Sequence, residues 1–166
     1  MRPRASPHVT RLVSHEEPPP EPPAAGAVVA LLGLTTFGTI AYWLAFFGGA
    51  GEALHTSETS AYLAFERAFP AADAWMVGAA AAAAVGLARR RAWAPLYGIA
   101  AGSALVFLGL MDVLFDLENG LYAVPSGAMA AELLINLFCL TMGPFFMTYF
   151  WRHRDRLWAQ APASPR

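Results

Sequence analysis

Four long apolar runs, at about 27–50, 71–88, 92–118 and 129–152, are set apart along the chain by short polar stretches. The first, AVVALLGLTTFGTIAYWLAFFGGA, is 24 residues without a charge. Crossing a hydrocarbon core takes about 20 apolar residues of helix, whereas the apolar part of a secretory signal is only about 7–15 residues long. One such run could be a buried helix of a soluble core. Four of them in 166 residues predict an all-α integral membrane protein, a four-transmembrane-helix bundle over 27–158. Local signals set the ends of these helices. Pro70 suits a helix start, Asn119-Gly120 a stop, and Ser126 an N-cap.

Residues 1–26, MRPRASPHVTRLVSHEEPPPEPPAAG, have no apolar periodicity. The run PPPEPP lacks the backbone donors a helix needs and favours an extended, solvated chain. A disordered Pro-rich N-terminal tail is therefore expected, with a short second tail at 159–166.

Composition agrees. The chain is 57% hydrophobic and 14% charged, against about 45–50% and about 25% in ordinary soluble domains. A net charge of −1 and the lack of a basic aromatic surface give no reason to expect a nucleic-acid partner. The single cysteine, Cys139, excludes an intrachain disulfide, a dithiol redox mechanism and a cysteine-rich metal site.

Arginine placement predicts orientation. Arg89, Arg90 and Arg91 lie between the second and third runs, and Arg152, Arg154 and Arg156 follow the fourth. The stretches 51–70 and 118–128 hold only Arg67. By the positive-inside rule both termini are cytoplasmic in a multi-pass protein of the cell membrane, with the lipid bilayer as its first partner.

The charges then raise a question. Asp112 and Asp116 lie inside the third run, and Glu132 inside the fourth. At about 100° per residue, Gly98, Gly102, Leu105, Gly109, Asp112 and Asp116 form one stripe of the third helix. Glycines on a membrane helix mark close approach to another helix, so this stripe should face protein. Glu132, Asn136, Cys139 and Gly143 share a face of the fourth helix, and Thr35, Thr39 and Tyr42 one of the first. On the second, Gly78, Ala82 and Gly86 form a small-residue seam, with Asp73 near its outer end. Asp73 and Glu132 also have a simpler reading as acids near helix starts, where the dipole favours them. Asp112 has no such reading, and Asp116 is expected nearer to water.

Turning these faces inward predicts a polar pocket below the outer surface, walled by Asp73, Asp112, Asp116, Glu132, Asn136 and Tyr42. Carboxylates there, without a cationic partner, must hold protons, bind a cation or stay wet. Three functions fit: binding or transport of a proton, cation or small amphipathic ligand; a membrane enzyme using a carboxylate pair on a lipid-like substrate; or an accessory subunit pairing its acids with a cation on a partner helix. With four helices, a transporter would need to form a homo-oligomer, and an accessory role needs a partner subunit. No phosphate loop, dinucleotide fingerprint or HExxH zinc motif specifies a cofactor or catalytic residues.

Overall fold

The structure is a computed structural model that describes residues 20–159. The N-terminal tail expectation up to residue 19, and that for 160–166, fall outside the described residues. Within them every regular element is helical. Helix α1 spans Ala25–Ala45 and passes through a π-helical turn at Phe46–Ala50 into the short α2, Gly51–Leu54. Gly49, at φ 101°, makes the break, a backbone position that a Cβ would strain. Helices α3, Ser60–Glu66, and α4, Phe69–Ala88, follow; then α5, Ala94–Asn119, a 3₁₀ turn at Leu121–Ala123, and α6, Gly127–Ala159.

Among the described residues four spans are long and apolar enough to cross a membrane: Ala25–Gly49, Ser60–Ala88, Ala94–Asn119 and Gly127–Ala159. Their outward surface is apolar. Phe37, Leu44, Leu96, Leu114 and Leu137 are all more than half exposed, a surface that a multi-pass membrane protein presents to lipid.

Helix ends follow local chemistry. The Thr59 hydroxyl accepts from the Tyr62 N–H and caps α3, and Ser126 does the same for α6 through the Met129 N–H at 3.0 Å. Gly120 ends α5 in the left-handed conformation, φ 66°.

The glycine stripe of α5 decides how the helices pack. A Cβ on Gly102 would lie 2.6 Å from the Gly143 carbonyl oxygen, and one on Gly109 would lie 2.9 Å from the Cys139 Cβ. Gly98 seats the ring of Phe150. Where lipid supplies no hydrophobic drive between helices, such close contact is the main source of their affinity. The α4 face differs from expectation. Gly78 is exposed and meets nothing, while Met76, Ala79, Ala80, Ala83 and Gly86 are buried. The alanine run offers a smoother packing surface than the Gly78–Ala82–Gly86 line.

The helices pack in chain order, α1 on α4, α4 on α5 and α5 on α6. Helices α1 and α6 do not pack along one another, so the four long helices form an open row rather than a closed ring.

Candidate functional site

A cavity of about 510 Å³ occupies the hollow of this row, at the end carrying the 55–59 and 120–126 connections. Its walls include Thr35, Thr39 and Tyr42 of α1, Asp73 of α4, Asp112 of α5, and Glu132, Asn136 and Cys139 of α6. Exposed Leu34 of α1 and Leu134 of α6 are also on its wall, so the cavity opens between those two unpacked helices.

The wall also includes Glu66, which lies in the stretch 51–70, between the first two predicted helices. The stretch 51–70 is largely helical, and α3 is held on α5 by the Phe65 ring stacked on Phe115, centroids 4.0 Å apart and planes 6° from parallel. This stack buries Glu66, the residue after Phe65. The available signals were the Ser57/Thr59 cap and the spacing of Tyr62, Phe65 and Phe69, weak marks in a short segment next to Pro70.

Glu66, Asp112 and Glu132 each bring a carboxylate oxygen to one point, all within 4.8 Å of one another. They come from α3, α5 and α6. Asn136 stands one turn below Glu132, 3% exposed, and its Nδ2 has no hydrogen-bond partner. Glu132 Oε1 is likewise buried and unpartnered.

Asp73 stands apart from this cluster, whereas Asp116 lies behind it, against Glu132. Asp73 lies beyond the first turn of α4, and its Oδ2 accepts the Trp43 indole N–H at 2.7 Å. It joins two helices rather than merely serving the helix dipole. Glu132, too, lies beyond the first turn of α6. Asp116 is not on the cavity wall; it is fully buried, beside the Tyr122 hydroxyl and the Glu132 carboxyl. The expectation that it sits nearer to water than Asp112 is reversed, since Asp112 is only half-buried. The connection after Gly120 folds back beside it. The Tyr122 hydroxyl of that connection stands beside the Asp116 carboxyl, and burial, then the Asp116 charge, push the Tyr122 phenol up to about 12.

Among the described residues no cationic side chain lines the cavity. The ion pairs among the described residues, His55–Glu58, Arg90–Glu21 and Arg154–Asp155, all lie elsewhere. Arg67 is exposed. The arrangement can therefore hold protons, water or an added cation, and the apolar walls beside it can take an apolar group. No family model, curated protein or solved structure matches this chain.

Proposed function

We propose that this chain is a multi-pass membrane protein that binds a positively charged group in an acidic pocket within its helices. The observation that carries this reading is the convergence of Glu66, Asp112 and Glu132 in a cavity that no Arg or His among the described residues lines. Removing several carboxylates from water without a counter-charge is costly, and an external cation lowers that cost. The cavity volume and its opening between α1 and α6 also leave room for an apolar body attached to that charge.

The pocket faces outward in this reading, because Arg89, Arg90 and Arg91 lie at the opposite end of the helices and mark it as cytoplasmic. Both termini are then cytoplasmic. The inward-facing acids weigh against an accessory subunit that pairs them with a partner helix across lipid.

Thermal unfolding of the purified full-length protein tests the proposal. Metal chlorides and an alkylammonium salt are added separately at constant ionic strength. One of them should raise Tm, since ligand at 100 times its Kd stabilises by about 2.7 kcal/mol. Asp112→Asn should stay folded and lose the response. A wild type indifferent to every cation would overturn the reading.

A further inference from the structure

We propose that Glu66, Asp112 and Glu132 form a binding site for one hard divalent metal ion, with Asn136 holding a metal-bound water. This rests on the cation-pocket reading and narrows its ligand to a class. Calcium takes oxygen ligands at about 2.3–2.6 Å, so two oxygens on opposite sides of one ion are about 4.6–5.2 Å apart. Carboxylate oxygens all within 4.8 Å of one another therefore fit around a single ion of this size. The three ligands come from three helices, and their approach is set by the Phe65–Phe115 stack and the α5–α6 glycine seam. The site is thus part of the packing and not of a loop.

Asn136 is the independent observation. Its Nδ2 is a buried donor without an acceptor, on the cavity wall one turn from Glu132. A buried unsatisfied donor is costly. The oxygen of a metal-bound water would accept from it, and the water's protons would face the free Glu132 Oε1. No His or Cys among the described residues joins the cluster; Cys139 shares the cavity wall without reaching it. An all-oxygen donor set selects calcium, magnesium or manganese over softer metals. Three carboxylates also balance a divalent charge better than a single ammonium.

The experiment uses the full-length protein in detergent, stripped with a chelator and titrated with Mn²⁺ while the free-ion electron paramagnetic resonance signal is followed. One Mn²⁺ per chain is expected, displaced by Ca²⁺. Glu66→Gln, Asp112→Asn and Glu132→Gln should each weaken binding at least about tenfold, while Asp155→Asn, at the other end of the molecule, should not. If all three site variants bind as the wild type does, the assignment is overturned. Where a variant does not fold, wild type carrying carbon-13 in its Asp and Glu carboxyls replaces it. Carbon couplings to the bound Mn²⁺ are expected, and their absence overturns the assignment. If the alkylammonium salt raises Tm and Mn²⁺ does not bind, the metal is ruled out and the cation pocket stands. If neither acts, both fall.

Discussion

The Trp43 indole N–H donates to Asp73 across 2.7 Å and joins α1 to α4 at the edge of the acidic cavity. The two residues are thirty positions apart, and their bond holds an acid that would otherwise face an apolar wall. A hydrogen bond to a charged acceptor contributes about 1.5–3 kcal/mol, and stranding the acceptor forfeits it. Trp43→Phe should therefore lower stability by about 1–3 kcal/mol. Adding Asp73→Asn should cost less than the sum of the two single changes, as a double-mutant cycle in thermal unfolding would read out. Simple additivity would mean the bond contributes nothing.

The glycine seam makes a contrasting pair. Gly102→Ala places a methyl against the Gly143 backbone, which cannot yield without moving α6. Overpacking of this kind costs about 1–3 kcal/mol. Gly78→Ala meets open space on a helix and should be neutral or stabilising by up to about 1 kcal/mol. Equal effects in a thermal shift assay would contradict the packing described for α5 and α6.

Asp116 should be replaceable. A fully buried carboxylate with no ion pair among the described residues is a burden on the fold. Asp116→Asn should leave unfolding temperature unchanged or raise it, and a drop of several degrees would reveal a compensating cation. The same change should move the Tyr122 phenol down from about 12, because it removes the second cause of that shift. The sign follows from linkage. A raised phenol contributes stability that is complete below pH about 10, the unfolded value, and fades as pH climbs toward the folded one. The difference in ultraviolet absorbance between wild type and Tyr122→Phe, followed with pH, isolates this residue.

Sidedness is open to direct labelling. In a Cys139→Ala background, a cysteine at Val124, which is exposed, should react with an impermeant maleimide on intact cells. A cysteine at Arg90 should react only after permeabilisation. The reverse pattern would place the acidic end in the cytoplasm.

Much of the fold was legible because its determinants are local. Charge-free runs long enough to span a bilayer, Ser126 as a cap, Gly120 as a stop and the α5 glycine stripe can each be read within a few turns of chain. Angular bookkeeping along single helices likewise brought Asp112, Glu132, Asn136 and Tyr42 to inward faces, and the structure lines one cavity with them.

What the tertiary structure alone decided is how those faces meet. Glu66 joins Asp112 and Glu132 because Phe65 stacks on a ring fifty residues away, a contact with no periodic trace in the sequence. Asp116 is sealed although it sits closer to the helix end than Asp112, because depth along a helix says nothing about the connection that folds over it. The opening between α1 and α6 depends on which helix pairs pack, and each apolar run is equally able to meet lipid or protein. Apolarity specifies that a residue leaves water. Only shape complementarity between distant segments specifies what it meets instead.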